Sequence, residues 1–242
     1  MKPRILLVED DHTSAAFLAA AAEALPASVD TVGSFAAARA QATNIAYALW
    51  LVDAHLPDGD GAALLSELRG LGLSTPAIAH TATREDAVHE ALHRAGFAAV
   101  LVKPLAAAAL RAAVAGALAA GAGARVAEPW PPEAGGGDRD GALPAWDDAA
   151  ALRALNGERG HVDGLRQLFL AELPAARGLV ASAAGDGDLH ALRATLHRLR
   201  ASCGYVGAAR LDAAVRALQA EPGSASALAA FEAAAQELLP PS

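Results

Sequence analysis

The sequence contains very little cysteine and few aromatic side chains, and each shortage excludes a class of protein. The single cysteine, Cys203, cannot form a disulfide within the chain, which predicts a reducing, cytoplasmic compartment. Aromatic residues make up only 4% of the 242 residues, which favours helices packed closely through alanine. The net charge of −8 argues against a nucleic-acid partner, because phosphate backbones are bound by clustered lysine and arginine.

No segment has the pattern of a secretion signal or of a strong membrane span. The apolar run Ile5–Val8 is too short for the hydrophobic region of a signal peptide. The run Leu105–Ala124 carries Arg111 and consists mostly of alanine and glycine, so we expect no membrane association. No glycine-rich nucleotide loop of the P-loop type occurs, so ATP is not expected to be a direct phosphoryl donor.

The first 120 residues alternate short apolar runs with helical patterns five times. Parallel strands need a crossover connection, which is usually a helix. The repeats therefore predict an α/β domain with a doubly wound, five-stranded parallel sheet. The strands are predicted at Ile5–Val8, Ser28–Val32, Ala48–Val52, Pro76–His80 and Ala98–Val102.

The composition changes after residue 120. Residues 121–143 are rich in glycine and proline, which predicts a flexible linker between a first domain at 1–120 and a second at 144–242. From Pro144 onward no strand pattern occurs. Four longer helical patterns with short connections, preceded by a short one, predict an all-α four-helix bundle.

Polar side chains follow four of the predicted strands, at the point where each strand ends. Glu9 and Asp10 follow the first strand, and Asp53, Thr81 and Lys103 follow later ones. In a doubly wound sheet, ligands bind outside the carboxyl ends of the strands, so we expect these side chains to converge. The set fits phosphoryl transfer to a carboxylate, with Asp53 as the nucleophile.

The other side chains of this cluster fit supporting roles in the same reaction. Asp10 and Asp53, with Glu9 nearby, are expected to hold Mg²⁺, which prefers carboxylates, water and phosphate oxygens. Thr81 would donate a hydrogen bond to a phosphoryl oxygen, and Lys103 would offset its negative charge. Lys103 is one of only two lysines in the chain, and a compact ammonium suits a small phosphate cage better than a guanidinium does.

The string Asp58-Gly-Asp-Gly is similar to the start of a calcium-binding loop. A calcium loop that begins at Asp58 would need a carboxylate at its twelfth position, which is Arg69. We therefore reject a calcium site here.

The third helix of the predicted bundle carries a histidine outside its apolar stripe. His197 lies on the polar side of that helix, so we predict that it is accessible to solvent and can accept a phosphoryl group. Ala201 and Gly204 should leave the surface beside the ring bare, and Arg200 should screen a phosphorylated ring. The other histidines, His80 among them, are interpreted as solvated surface side chains. The stripe consists of Leu189, Leu192, Leu196, Leu199, Cys203 and Val206.

Four motifs occur in order along the first domain: Leu6-Leu-Val-Glu-Asp-Asp, Val52-Asp53-Ala-His-Leu-Pro-Asp-Gly-Asp-Gly, His80-Thr81-Ala82 and Leu101-Val-Lys103-Pro104. Through them, the sequence over about residues 3–120 resembles the receiver domain of bacterial response regulators. The resemblance implies that Asp53 accepts phosphate from a phosphohistidine, with Mg²⁺ bound by Asp10, Asp53 and the backbone carbonyl of His55. One departure is Val100, which stands where such domains usually carry an aromatic switch residue.

A second resemblance covers about residues 144–240. The string His197-Arg-Leu-Arg-Ala-Ser-Cys-Gly-Tyr-Val-Gly207 is similar to the motif of histidine-containing phosphotransfer (HPt) domains. It implies a four-helix bundle without kinase activity, in which His197 carries the phosphoryl group and Gln219 hydrogen-bonds its imidazole. Arg200 replaces the usual lysine, and Ala201 the usual glycine.

The two resemblances together predict a phosphorelay protein. A sensor histidine kinase upstream would phosphorylate Asp53, and His197 would exchange the group with the receiver domain of a downstream response regulator. The chain would not be an ATP-dependent kinase, although the receiver would catalyse its own phosphorylation and dephosphorylation. Two alternatives are a non-catalytic adaptor, in which phosphorylated Asp53 only alters docking of the bundle, and a phosphate sink that drains a relay through Asp53.

Overall fold

The computed structural model describes residues 2–120, 143–155 and 159–239. The chain divides into two compact units, residues 1–134 and 135–242. The predicted linker at 121–143 lies outside the described residues except for Leu143, so its flexibility stays a prediction, as do the domain bounds.

The first unit is a five-stranded parallel sheet between helices, as predicted. The strand order is β2-β1-β3-β6-β7, so the chain moves outward in opposite directions from the boundary between β1 and β3. Such a boundary forms a crevice at the carboxyl ends of the strands, where ligands bind. The elements are β1 (Arg4–Val8), α1 (His12–Glu23), β2 (Ser28–Val32), α2 (Phe35–Asn44), β3 (Leu49–Asp53), β4 (His55–Leu56), β5 (Gly59–Asp60), α3 (Gly61–Gly70), β6 (Ala77–Thr81), α4 (Asp86–Ala95), β7 (Ala99–Val102) and α5 (Ala107–Ala120).

Helices cover both faces of this sheet. Helices α1 and α5 pack together, and α2, α3 and α4 pack in sequence around a core that includes Trp50. Strands β3 and β6 are buried at every residue, which is why they form continuous apolar runs in the sequence. Strand β2 lies at an edge and is partly exposed.

The antiparallel hairpin of β4 and β5, directly after β3, was not predicted. Asp58 accepts hydrogen bonds from the backbone N–H groups of Phe35 and Ala36 at 2.7 and 3.0 Å, and these bonds lower the pKa of Asp58. Asp60 caps α3 by accepting from the N–H of Ala63 at 2.7 Å. Both carboxylates therefore stabilise helix N-termini, which gives the Asp58-Gly-Asp-Gly string a structural role.

The second unit is helical throughout the residues that are described. Helices α7 to α10 each pack against the next, and α10 also contacts α7, which closes a four-helix bundle. The short helix α6 packs on α7 and α8. The predicted bundle with its leading helix is confirmed. The elements are α6 (Asp148–Ala154), α7 (Arg159–Asp186), α8 (Leu189–Val206), α9 (Ala209–Ala220) and α10 (Ala225–Leu238).

Among the described residues, α7 alone is long and apolar enough to cross a membrane by length and composition. The core helices of water-soluble bundles pass the same test. In the bundle, α7 buries Val162, Leu165, Phe169, Leu173 and Val180.

Candidate functional sites

The run Glu9-Asp10-Asp11 leads the chain from β1 into α1, and its three carboxylates have different surroundings. Asp11 is the N-cap of α1 and accepts a hydrogen bond from the N–H of Ser14 at 2.7 Å. Glu9 is buried; its Oε1 accepts from the N–H of Asp11 at 3.2 Å, and its Oε2 bonds to Lys103. Asp10, between them, is half-buried. Asp11 therefore caps the helix, while Glu9 contacts Lys103, and the role of Asp10 in the site stays a prediction.

Asp53, the last residue of β3, is only 3% exposed and is bonded on both carboxylate oxygens. Its Oδ1 accepts from the backbone N–H of His55 at 2.8 Å, and its Oδ2 lies 2.5 Å from Nζ of Lys103. Lys103 follows β7, and its backbone N–H donates to the carbonyl of Thr81 at 2.7 Å. Because the same ammonium also bonds to Glu9, one buried lysine joins two carboxylates from two strands.

Burial and charge act differently on the two buried carboxylates. Burial raises the pKa of Glu9 to about 8, against the lowering effect of Lys103 and with a further rise from Asp53. Burial alone would also raise the pKa of Asp53, but the ammonium of Lys103 and the N–H of His55 hold it below its ordinary value. Asp53 is therefore ionised at neutral pH, and an ionised carboxylate can act as a nucleophile.

Thr81 lies beside this pair on the neighbouring strand. In the register of β3 and β6, Asp53 is opposite His80, so Thr81 is one residue further toward the carboxyl edge. The Thr81 side chain is fully buried, and its hydroxyl oxygen accepts from the N–H of Thr83 at 3.2 Å. The hydroxyl keeps its own proton to donate, so the predicted role toward a phosphoryl oxygen fits its chemistry.

His80 is fully buried, so the expectation that it is a solvated surface histidine is wrong. Its Nδ1 lies 3.5 Å from Oε2 of Glu9 and 3.7 Å from Oδ2 of Asp53. Burial, assisted by Lys103, lowers the pKa of His80 to about 3, so the ring is neutral. The sequence contained an indication of this. His80 lies between Ala79 and Thr81 in a strand that is buried on both faces, so its side chain cannot be exposed to solvent.

Gly61 brings α3 close to the backbone of Asp53. A Cβ at this position would lie 2.4 Å from the carbonyl oxygen of Asp53. The N–H of Gly61 donates to the carbonyl of Ala54 at 3.0 Å. The missing side chain thus allows the hairpin to return against β3, a contact that the sequence reasoning did not predict.

In the second unit, His197 is partly exposed on α8. Arg200, one turn later, is also partly exposed, and Arg193, one turn earlier, is exposed. Most of the predicted apolar stripe is buried, but Leu189 is 47% exposed, which corrects the expectation that it faces the core. It is the first residue of α8.

Ala201 is buried at 2% exposure, so the expectation that it leaves bare surface beside the ring of His197 is wrong. Gly204 is half-buried. The reason is that α8 contacts α6, α7 and α9, so its buried face is wider than one stripe.

Gln219 lies near the end of α9 and is half-buried. Helices α8 and α9 pack together and are joined only by Gly207 and Ala208, so the chain reverses direction there. His197 is ten residues before Gly207 and Gln219 is twelve after it, which places them at similar heights at 1.5 Å per residue. The hydrogen bond between Gln219 and His197 stays a prediction.

Gly207 ends α8 in the left-handed conformation, with φ of 73°. Its carbonyl accepts from the N–H of Asp147 at 2.6 Å, and a Cβ on Gly207 would lie 2.3 Å from the carbonyl oxygen of Asp147. The guanidinium of Arg166 lies 4.5 Å from the ring of Trp146, and its Nε donates to the carbonyl of Val206 at 3.0 Å. The segment before α6 is therefore fixed to the end of the helix that carries His197.

Two family models match the chain over these two sites. The response regulator receiver domain matches residues 5–115, and the Hpt domain matches residues 164–239. The chain contains a receiver domain followed by an Hpt domain. The receiver domain contains Asp53 and the side chains around it, and the Hpt domain contains His197. This confirms both resemblances of the sequence.

Several solved structures of receiver domains and response regulators are similar to about half of the chain. One is the signal receiver domain of a protein described as a Luxo repressor from Vibrio parahaemolyticus, at 27% identity, covering 50% of this chain and 92% of that one with a TM-score of 0.48. A Francisella receiver domain is 23% identical, with 49% of this chain and 98% of that one covered and a TM-score of 0.47. A two-component response regulator from Clostridium difficile is 25% identical (49% and 97% covered, TM-score 0.47). No curated protein matches the chain.

Proposed function

We propose that this protein is a phosphorelay intermediate in which Asp53 and His197 each carry a phosphoryl group in turn. Receiver and Hpt domains are phosphotransfer modules of two-component systems and are not ATP-dependent kinases. The observation that carries the proposal is the buried ammonium of Lys103, which bridges Asp53 and Glu9 at the carboxyl edge of the sheet.

The first step uses Asp53 as the nucleophile. A carboxylate oxygen of Asp53 attacks the phosphorus of a phosphohistidine on a partner, the P–N bond breaks, and the imidazole leaves with the bond's electron pair. Lys103 offsets the negative charge that moves onto the phosphoryl oxygens, and Thr81 donates a hydrogen bond to one of them. The product is an acyl phosphate on Asp53, which the receiver also hydrolyses.

The oxygen-rich edge of this pocket fits Mg²⁺. Glu9, Asp10 and Asp53 supply carboxylates, two of them buried, and the carbonyl of His55 is a further oxygen donor in the turn that bonds to Asp53. Hard oxygen donors of this kind are the ligands that Mg²⁺ takes in proteins. When bound, the ion would neutralise phosphoryl oxygens.

The second step uses His197. A ring nitrogen attacks the phosphorus of the acyl phosphate, the P–O bond breaks, and Asp53 returns to a carboxylate. The partly exposed ring gives another active site access, and Arg200, at the next turn, is placed to screen the added charge. Gln219 would orient the imidazole from α9.

The partners that follow from this chemistry are proteins. A sensor histidine kinase would supply the phosphoryl group, and the receiver domain of a response regulator would exchange it with His197. The net charge of −8 speaks against nucleic acid. We place the protein in the cytoplasm, with no role for a membrane.

The proposal is tested with the wild type, Asp53→Ala and His197→Ala, each mixed with a cognate phosphorylated kinase carrying labelled phosphate. A relay predicts label on histidine that is lost in both variants. Label confined to Asp53 would instead identify an adaptor, and rapid release of inorganic phosphate by the wild type would identify a sink. His190→Ala is the control, because His190 is an exposed histidine on the same helix.

Transfer between the two sites is tested by mixing the two variants. His197→Ala retains Asp53, and Asp53→Ala retains His197, so label can reach histidine only by transfer between molecules. Labelled Asp53→Ala in the mixture would show transfer in trans. Its absence, with labelling of wild-type His197 intact, would restrict transfer to one molecule.

A further inference from the structure

The two oxygens of the Asp53 carboxylate face different surroundings. Oδ1 accepts from the backbone N–H of His55, on the side of the hairpin loop. Oδ2 lies on the side of Lys103 and of the imidazole of His80. The proposed Mg²⁺ ligands are Glu9, Asp10, Asp53 and the carbonyl of His55. The side of His80 shares Glu9 and Asp53 with them and differs by offering an imidazole nitrogen.

The imidazole of His80 has the backbone of Leu51 as a hydrogen-bonding neighbour, and its Nδ1 faces the carboxylates of the pocket. It is fully buried, and its Nδ1 makes no hydrogen bond to any residue that the structure describes. Buried polar atoms in proteins are almost always hydrogen-bonded, so an exception requires a cause. Nδ1 instead faces Oε2 of Glu9 at 3.5 Å and Oδ2 of Asp53 at 3.7 Å, and the three potential ligand atoms lie within 4.8 Å of one another.

We propose that His80, together with Glu9 and Asp53, forms an alternative metal site in the same pocket, which binds Zn²⁺ or a similar nitrogen-accepting divalent ion in place of Mg²⁺. Two carboxylate oxygens and one imidazole nitrogen, with a fourth position open to water, are a ligand set that Zn²⁺ takes readily. Mg²⁺ prefers oxygen donors only, so the imidazole biases this side of the pocket toward transition metals.

Lys103 competes with a metal ion for this site. Its ammonium bonds to the same two oxygens, Oε2 of Glu9 and Oδ2 of Asp53, that would coordinate the ion. The two cations therefore exclude one another, and Zn²⁺ binding requires the lysine side chain to move away. One consequence rests on the proposed function: Zn²⁺ would separate Lys103 from Asp53 and so inhibit phosphoryl acceptance. The binding itself does not depend on that function.

The test is calorimetric titration of the full-length protein with ZnCl₂, without any phosphoryl donor. We expect His80→Leu to weaken Zn²⁺ binding by at least about tenfold. Lys103→Met should tighten it, because the competing ammonium is gone. His12→Ala is the matched control, since His12 is an exposed histidine of the receiver domain that is not among the proposed metal ligands, and it should change the affinity by less than about twofold.

Nitrogen-15 spectra of the histidine side chains give a readout that needs no variant. Coordination should shift the Nδ1 resonance of His80 when Zn²⁺ is added, and not when Mg²⁺ is added. A resonance that does not move overturns the proposal, even if His80→Leu fails to fold. Equal Zn²⁺ affinity in the wild type and His80→Leu also overturns it, as does Zn²⁺ binding that is lost in His12→Ala but not in His80→Leu. Because no phosphoryl donor is present, these outcomes are separate from failure of the relay.

Discussion

Nζ of Lys103 lies 2.5 Å from Oδ2 of Asp53, although 50 residues separate them in the chain. We expect Lys103→Met to slow phosphoryl transfer to Asp53 by about 100-fold or more, because a preorganised positive charge at developing negative charge typically contributes that much. The measurement is the rate of labelling from a phosphorylated kinase.

The other lysine is the matched control for this experiment. Lys2 is exposed, and Lys2→Met removes the same charge from the whole protein. We expect its labelling rate to equal that of the wild type. Similar slowing in both variants would mean that net charge, not the contact with Asp53, controls the rate.

Gly61→Ala should displace the backbone of Asp53, because the new Cβ would lie 2.4 Å from its carbonyl oxygen. We expect a loss of about 1–3 kcal/mol in the free energy of unfolding, as for other overpacked sites, and slower labelling of Asp53. Gly70→Ala, at the other end of α3 with no atom within 4 Å, should stabilise the receiver domain by about 0.5–1 kcal/mol. Denaturant titration compares the two, and an unchanged Gly61→Ala would contradict the close approach.

A comparison of Gly207→Ala with Gly187→Ala in the Hpt domain separates the cost of backbone strain from the cost of a steric clash. Both glycines have positive φ, 73° and 69°, but only Gly207 is crowded, by the carbonyl of Asp147. Alanine should cost about 1–2 kcal/mol at either position through the left-handed conformation. Gly207→Ala should lose a further 1–3 kcal/mol or so, because the segment before α6 must move. Equal losses of unfolding free energy for the two variants in denaturant titrations would show that the segment before α6 can move at no cost.

Tyr47 should make the receiver domain sensitive to alkali. Burial, together with the hydrogen bond to Asp30 at 2.9 Å, raises the pKa of Tyr47 to about 12 from the ordinary value of 10. A raised pKa means that the fold favours the protonated phenol, so this stabilisation is complete below pH 10 and is lost as pH rises through 12.

The measurement is the free energy of unfolding of the receiver domain between pH 9 and about pH 12.5, compared in wild type and Tyr47→Phe. The wild type should lose stability more steeply between pH 10 and 12. Tyr205→Phe, in the Hpt domain, serves as the control and should keep the wild-type slope. Parallel curves for wild type and Tyr47→Phe would contradict the shifted pKa.

The sheet and the bundle could be predicted because the chain shows its burial pattern directly. Strands β3 and β6 are buried on both faces and so are continuous apolar runs, and their ends mark where Asp53 and Thr81 meet. Lys103 was recognisable for a related reason, since a lysine is unusual in a chain that otherwise uses arginine. The hairpin of β4 and β5 was missed because two-residue strands have no periodicity to detect.

His80 and Ala201 show where reasoning from local pattern stopped working. Most histidines are on the surface, and this general tendency was applied to His80 although His80 lies in a fully buried strand. For Ala201, helical spacing identified one buried stripe, but α8 is covered from three sides. How many neighbours surround a helix depends on tertiary packing, which the spacing of one segment does not contain.

The chain has only two lysines, and one of them, Lys103, is buried. Its chemical modification therefore reports opening of the receiver pocket. Amine-directed reagents will tag Lys2 in the native protein, whereas Lys103, at 5% exposure, is shielded until its pocket opens. The extent of Lys103 modification relative to Lys2, measured by mass spectrometry of the tagged peptides, therefore reports how often that pocket opens. Because lysine is so rare in this chain, footprinting of the pocket needs no engineered residue.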